Sequence, residues 1–150
     1  MEVQKDFKEL LELLNSRGAE YLIVGGYALA LHGAPRYTGD LDVYVKPDPE
    51  NASRIMEVLE EFGFGAVGLK QEDFHVPEQI IQLGVPPVRI DFITSISGVT
   101  WDEALSGSVG VSYGGVPIKI LGRREFIINK KAVGRSQDLA DVDAIGGGSD

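Results

Sequence analysis

Apolar residues recur along this chain with two periods, one typical of helices and one typical of strands. Helical spacing from residue 3 to residue 17, with lysine and glutamate between the apolar positions, predicts an amphipathic helix that Gly18 ends. A second helix is predicted over 49–62, with Asp48 as its N-cap and Pro49 at its first position. The other predicted helices lie at 27–31, 100–105, 124–131 and 136–145, the last with Leu139, Val142 and Ile145 facing inward.

Short apolar or alternating runs between these helices predict β-strands. They lie at 21–24, 40–45, 79–83, 88–94, 108–113 and 116–121. A Gly-Gly pair between the last two runs is a hairpin signal, and Gly-Val-Pro-Pro at 84–87 predicts another turn. Segment 70–76 is either a loop or one helical turn. The pattern predicts an α/β fold, a single domain with a mixed, twisted β-sheet flanked by α-helices.

Composition agrees with one globular domain and narrows the classes of function. The 150 residues are enough for a single core, and we expect one domain over 1–145 and a disordered tail over 146–150. No apolar run approaches the ~20 residues that cross a bilayer, and the absence of cysteine excludes disulfides and thiolate metal sites. We therefore expect a cytoplasmic protein with no membrane partner. The formal net charge of −9 disfavours broad binding to a nucleic-acid backbone, which needs a basic surface.

One stretch, residues 21–45, concentrates the candidate chemistry. A predicted strand ends at Gly25-Gly26 and a short helix follows, so the amides of the turn lie at a helix N-terminus, where a phosphate is favoured. Asp40 and Asp42 then stand two positions apart on the next strand, so both carboxylates project from the same face. Two hard oxygen ligands beside a phosphate site suit Mg²⁺.

This ordered combination resembles the signature of the polymerase-β-like nucleotidyltransferase superfamily, in which Gly-Gly or Gly-Ser is followed by a spacer and then Asp-apolar-Asp. The likeness is to minimal bacterial and archaeal members, the antibiotic and toxin-like nucleotidyltransferases. The family pattern requires a third carboxylate on a later strand, and Asp91 in the run Val-Arg-Ile-Asp-Phe-Ile at 88–93 matches it.

The resemblance implies a reaction and assigns residues to it. A nucleoside monophosphate would move from an NTP, with ATP the expected donor, to a hydroxyl group of an acceptor, with release of pyrophosphate. Asp40, Asp42 and Asp91 would be catalytic and would hold two Mg²⁺ ions, with Asp91 as candidate base. The candidate nucleotide-binding residues are Gly25, Gly26, Arg36 and Thr38. Arg36 and Thr38 either contact phosphate or order the loop before the aspartates.

The chain departs from the family pattern in two places. Many relatives have serine after the first motif glycine, whereas this chain has Gly26, so backbone amides alone must bind the phosphate there. The C-terminal helical part is short, so the acceptor site is either open or completed by a partner protein or a second copy of the chain. The acceptor itself stays open between a small molecule such as an antibiotic and a tRNA or protein, as in toxin-like relatives of toxin–antitoxin systems.

Two other functions compete with the transferase, and several residues have ordinary structural explanations. A catalytically inactive module that binds nucleotide or a partner on the same fold is the main alternative, and a metal-binding domain without nucleotide is another. We expect His32, Tyr27 and Tyr44 to pack and Asp138 and Asp141 to be structural. One of the late cations could neutralise a triphosphate, although a solvated surface position is favoured for each: Lys119, Lys130, Lys131 and Arg135.

Overall fold

A computed structural model describes residues 3–34, 39–65 and 68–146 of the chain. Within these ranges it contains six α-helices and a single six-stranded β-sheet. The helices are α1 Lys5–Ser16, α2 Gly25–Leu31, α3 Pro49–Phe62, α4 Trp101–Ser106, α5 Arg123–Val133 and α6 Ser136–Ala144. The strands are β1 Tyr21–Val24, β2 Asp40–Val45, β3 Ile80–Val85, β4 Val88–Ile93, β5 Val109–Tyr113 and β6 Val116–Ile120. A short 3-10 helix at Gln71–Phe74 settles the open choice for segment 70–76.

The sheet is mixed, which confirms the predicted fold class. Its strand order is β3-β4-β2-β1-β6-β5. The two hairpins, β3-β4 and β5-β6, are antiparallel and occupy the two edges of the sheet. In the centre, β2 is antiparallel to β1 but parallel to β4, and β1 is parallel to β6. The glycine turn, which follows β1, and the aspartates on β2 and β4 therefore lie at the central strands.

The two faces of the sheet contact different helices. Side chains alternate along a strand, so the aligned residues Ile23, Val43 and Phe92 lie on one face. This face contacts α1, where Tyr21 donates a hydrogen bond to Asn15 at 2.8 Å, and the 3-10 helix, where Phe74 meets Phe92 edge-on. The opposite face carries Asp42 and Tyr44.

Helix α4 packs on that opposite face, since the Trp101 ring lies edge-on to Tyr44 with ring centres 5.1 Å apart. The Thr100 side chain caps α4 by accepting a hydrogen bond from the main chain of Glu103. Helices α1 and α3 also follow the prediction, because the apolar stripe of α1 is fully buried and Asp48 caps α3. No helix among the described residues is long and apolar enough to span a membrane.

The structure corrects three details of the sequence analysis. Helix α2 begins at Gly25 and not at residue 27, so the glycines form its first turn. Val3, at the start of the predicted first stripe, is 42% exposed and precedes α1. Leu139 was predicted to face inward but is 47% exposed. The reason is that α6 turns Asp138 and Asp141 inward together with Val142, and these four residues cannot share one helix face.

Candidate active site

The three predicted aspartates lie on one face of the sheet. Strands β2 and β4 run parallel, and their register places Asp42 directly beside Asp91 and Asp40 beside Arg89. Paired residues of adjacent strands project to the same side, and residues two apart do so as well. The fold therefore brings together carboxylates that are far apart in the sequence, on the face that α4 also covers.

The glycine turn lies against these carboxylates. Val24 pairs with Asp42 across β1 and β2, so the next residue, Gly25, begins α2 at the side of the Asp42 carboxyl group. Gly25 has φ +68°, and a Cβ atom there would collide with a carboxylate oxygen of Asp42. Only glycine satisfies both the backbone conformation and the close approach. The first amides of α2 are thus neighbours of the candidate metal ligands.

Arg89 places a positive charge against these carboxylates. Its Nε lies 3.3 Å from Asp91 Oδ1 and 3.7 Å from Asp40 Oδ2. The sequence places Arg89 on the face of Asp91, because the two are separated by one residue on a strand, but we assigned it no role. The structure shows that one guanidinium contacts two of the three candidate ligands.

Asp42 has the most strongly perturbed carboxyl group of the site. Burial, together with the negative charges of Asp91 and Asp40, raises the pKa of Asp42 to about 7, against the lowering effects of Lys130 and Arg89. Without a bound cation, the site therefore holds Asp42 partly protonated at neutral pH. A divalent cation would reverse this effect, because it stabilises the ionised carboxylate.

Carboxylate oxygens are suitable ligands for a hard cation, but in their present positions these carboxylates do not form a ready metal site. In the described ranges 3–34, 39–65 and 68–146, no three His, Cys, Asp or Glu side chains converge as a ready metal site. The Arg89 guanidinium contacts Asp40 and Asp91 instead. Oxygen-only donors on adjacent strands, beside a turn without a Cβ atom, nevertheless suit Mg²⁺. A cation bound here would take over the contacts that Arg89 now makes.

Some of the other sequence predictions can be checked and two cannot. Arg36 and Thr38 lie outside the described residues, so their predicted contacts with phosphate stay predictions. His32 ends α2 with its Nε2 2.7 Å from the carbonyl oxygen of Leu121, which is the structural role that we expected. Tyr27 and Tyr44 pack in the core, as predicted: Tyr27 meets Phe7 and Tyr113 edge-on, and Tyr44 meets Trp101.

Sequence reasoning missed a buried ion cluster between α5 and α6. Lys130 Nζ lies 3.3 Å from Asp138 and 3.8 Å from Asp141, and Arg135 also contacts Asp138. Asp138 and Asp141, which we expect from the sequence to be structural, are both buried. The available signal was the spacing of three between the two aspartates, which places them on one side of a helix.

Solved structures with this fold include enzymes that modify antibiotics. The chain is similar to TM1012, a proposed nucleotidyltransferase from Thermotoga maritima, with 15% identity, a TM-score of 0.63, and coverage of 91% of this chain and 88% of that one. The lincosamide antibiotic adenylyltransferase LnuA, solved with lincomycin, gives 12% identity, a TM-score of 0.56 and 99% coverage of both chains. ANT(2")-Ia, solved with adenylyl-2"-tobramycin, gives 13% identity, a TM-score of 0.56, and coverage of 93% of this chain and 84% of that one.

These similarities establish the fold, and a match to a family model establishes the family. No curated protein sequence matches the chain significantly. A family model described as a nucleotidyl transferase of unknown function, DUF2204, matches residues 3–147. That match includes the glycine turn and all three aspartates within one alignment of nearly the whole chain. The chain therefore belongs to this nucleotidyltransferase family.

Proposed function

We propose that this nucleotidyltransferase moves a nucleoside monophosphate from an NTP, with ATP as the favoured donor, to a hydroxyl group of its acceptor in a Mg²⁺-dependent reaction. The observation that supports this most is the alignment of Asp42 with Asp91 on adjacent strands, against the turn at Gly25. A binding surface without chemistry has no need for carboxylates that repel each other at a phosphate-sized turn.

Each candidate residue has a role in this proposal. Asp40 and Asp42 would hold Mg²⁺, and Asp91 would complete the site and accept the proton of the acceptor hydroxyl. The acceptor oxygen attacks the α-phosphorus, the bond from that phosphorus to the bridging oxygen breaks, and pyrophosphate leaves with the electron pair. When bound, the two expected Mg²⁺ ions neutralise charge on the attacking and leaving oxygens. Amides at Gly25 and Gly26 bind phosphate oxygens, with Arg36 and Thr38 as further candidates.

Arg89 gives the proposal a second element. It balances Asp40 and Asp91 while no cation is bound, and Mg²⁺ must compete with it. The same contacts favour the alternative function, a catalytically inactive module in which arginine permanently replaces the metal. The two functions differ in one measurable property, because only the enzyme needs Mg²⁺ to bind nucleotide.

Calorimetry with a non-hydrolysable ATP analogue, with and without Mg²⁺, tests the proposal. We expect binding that requires Mg²⁺ and is lost in Asp42→Asn. Asp143→Asn is the matched control, since Asp143 is exposed on α6. Binding of equal strength with and without Mg²⁺ would favour the inactive module, and no binding of any nucleotide would remove the proposal.

Turnover and the acceptor need a separate assay. Labelled ATP, GTP, CTP and UTP are offered with candidate acceptors of two kinds, aminoglycosides or lincosamides on one side and tRNA or purified proteins on the other. Release of pyrophosphate together with label on one acceptor identifies the reaction. The assay is run over a range of protein concentrations, so that an acceptor site completed by a second copy of the chain is detected.

A further inference from the structure

Strand β3 borders the candidate active site on the side away from the glycine turn. The strand order places four parts of the molecule in a row: the glycine turn after β1, Asp42 on β2, Asp91 on β4, and then β3. In the sheet that the described residues form, β3 pairs with β4 alone and is an edge strand. Neighbouring strands lie about 4.8 Å apart, so about 14 Å of sheet separates β3 from β1.

Gln82 is the residue of β3 that lies beside Asp91. The two are directly paired in the antiparallel register, so their side chains project from the same face. The pairs of such a ladder alternate between hydrogen-bonded and non-hydrogen-bonded ones. Thr94 donates its main-chain N–H to the carbonyl oxygen of Gln79 at 3.1 Å, which makes these two a hydrogen-bonded pair. Gln82 and Asp91, three positions further, therefore form a non-hydrogen-bonded pair, whose Cα atoms typically lie about 4.5 Å apart.

The carboxamide of Gln82 is available to a ligand. Gln82 is exposed, and no residue of the described ranges hydrogen-bonds to its side chain. Its neighbour on the same face, Ile80, is 64% exposed although it is apolar. Segment 79–87 contains no charged residue, whereas edge strands are commonly protected by lysine or another charge. Beyond Asp91, the face of the sheet therefore continues as an uncharged surface with a free carboxamide and an exposed aliphatic side chain.

The geometry of the proposed reaction gives the two ends of this row different roles. In an in-line displacement, the attacking and the leaving oxygen lie on opposite sides of the α-phosphorus. The proposed phosphate donors are the amides of the glycine turn, at the start of α2 beside β1, so pyrophosphate leaves towards β1. The attacking hydroxyl group then approaches from the opposite side, where β4 and β3 lie.

We propose that the acceptor binds over the exposed face of β3, with Gln82 contacting it next to the hydroxyl group that reacts at Asp91. This inference rests on the proposed function. A carboxamide both donates and accepts hydrogen bonds, so it fits a neighbouring hydroxyl or amide of the acceptor, and Ile80 fits an apolar part. This uncharged surface offers neither the carboxylates that attract a polycation nor the cations that a polyanion such as tRNA needs. The class of acceptor that fits is an alcohol whose reacting end is neutral, with polar and apolar parts.

A tethered hydroxyl group tests this placement while the acceptor is unidentified. The chain contains no cysteine, so Gln82→Cys introduces a unique thiol. Exchange with bis(2-hydroxyethyl) disulfide attaches a hydroxyethyl group through a disulfide bond and releases 2-mercaptoethanol. With Mg²⁺ and ATP labelled at the α-phosphate, the tethered oxygen attacks the α-phosphorus, its proton passes to Asp91, and pyrophosphate leaves. We expect the label to stay on the protein and to be released by a reductant that cleaves the disulfide.

Val85→Cys with the same adduct is the matched control, because Val85 is 74% exposed on the opposite face of β3. We expect its labelling to be slower by on the order of 100-fold, since its tethered hydroxyl is not held at the reacting centre. An ethyl group attached to Gln82→Cys, which has no hydroxyl, should acquire no label. Ile80→Cys, at the next position on the face of Gln82, should be labelled at an intermediate rate and replaces Gln82→Cys if that variant does not fold.

Binding of Mg²⁺ with the ATP analogue is measured for each variant, so that labelling is compared only among proteins that bind nucleotide. Equal labelling of the Gln82→Cys and Val85→Cys adducts overturns this inference while the proposed function stands. An unlabelled Gln82→Cys adduct does the same if the wild-type protein labels a free acceptor. Nucleotide binding with no transfer to any acceptor, tethered or free, overturns both, and so does a wild-type protein that binds no nucleotide.

Discussion

The pKa values of two aspartates, the half-buried Asp42 in the sheet and the buried Asp138 in α6, are shifted in opposite directions. Burial and two neighbouring carboxylates raise the pKa of Asp42 to about 7, whereas the side chain of Arg135 lowers that of Asp138 to about 2. Burial disfavours the ionised form of both, so the difference comes from their neighbours. The α6 region contains cations that pair with its carboxylates, whereas the sheet region leaves the negative charge of its carboxylates only partly balanced.

This difference separates a structural ion cluster from a site made for an external ligand. In α6, Asp138 and Asp141 each pair with a cation within the fold. At the sheet, Arg89 reaches Asp40 and Asp91, and Asp42 remains beside the turn at Gly25. Carboxylates that the protein does not neutralise are typical of functional sites. Mg²⁺ and nucleotide would complete the second region in the way that Lys130 and Arg135 complete the first.

The largest expected effect comes from removing the proposed base. We predict that Asp91→Asn lowers kcat by on the order of 10³-fold, because the acceptor hydroxyl loses both a proton acceptor and a metal ligand. Affinity for Mg²⁺ with the ATP analogue should fall far less. Pyrophosphate release and calorimetry on the same preparation measure the two quantities. A variant that keeps wild-type turnover would exclude Asp91 from the reaction.

The next effect concerns the contact between the glycine turn and Asp42. We predict that Gly25→Ala weakens nucleotide binding on the order of 100-fold and destabilises the fold by about 2–4 kcal/mol, because the new methyl group collides with the Asp42 carboxylate. Gly18→Ala is the control, since Gly18 has the same φ of +68° but no atom within 4 Å of the added Cβ. Gly18→Ala should lower the free energy of unfolding only by the backbone strain, about 1 kcal/mol. Denaturant unfolding measures the stability of both variants. Equal losses of stability would mean that the structure relieves the collision at Gly25→Ala.

The raised pKa of Asp42 predicts how stability depends on pH. The folded-state pKa of about 7 lies above the ordinary value of 3.8. The stability that protonated Asp42 contributes is therefore fully present below about pH 4 and is lost as the pH rises through 7. In EDTA, Asp42→Asn should therefore gain stability relative to wild type between pH 5 and pH 8, by on the order of 2 kcal/mol. Urea unfolding at the two pH values measures this gain.

Asp138 should behave in the opposite way. Its pKa is lowered, so the stability that it contributes is present above about pH 4 and is lost as the pH falls through about 2. Asp138→Asn should be less stable than wild type at neutral pH, and the two should approach each other in acid. Parallel pH curves for wild type and either variant would contradict the contrast between the two aspartates.

The smallest effect tests the orientation of α6. We predict that Leu139→Ala changes the free energy of unfolding by less than about 0.5 kcal/mol, because Leu139 is largely exposed. Val142→Ala should cost about 1–2 kcal/mol, because Val142 is 2% exposed. The reverse order would mean that the helix buries its leucine, as its sequence pattern alone suggested.

Local chemistry made much of the site predictable from the sequence. Alternation along β2 fixes Asp40 and Asp42 on one face whatever lies around the strand, and a positive φ at the end of β1 requires glycine. Resemblance to a known family then pointed to Asp91. The capped helix at Asp48 was predictable for the same reason, because its hydrogen bond joins neighbouring residues.

Tertiary structure alone decided which distant groups meet. The sequence does not state that β4 lies beside β2 in a register that pairs Asp42 with Asp91, since strand order depends on how the whole core packs. It also favoured an inward Leu139, because hydrophobicity is a property of each residue whereas the need of Asp138 and Asp141 for Lys130 appears only when α5 and α6 are packed together. Ion pairs join residues that are close in space and distant in the chain. Their positions therefore produce no periodic pattern in the sequence from which they could be predicted.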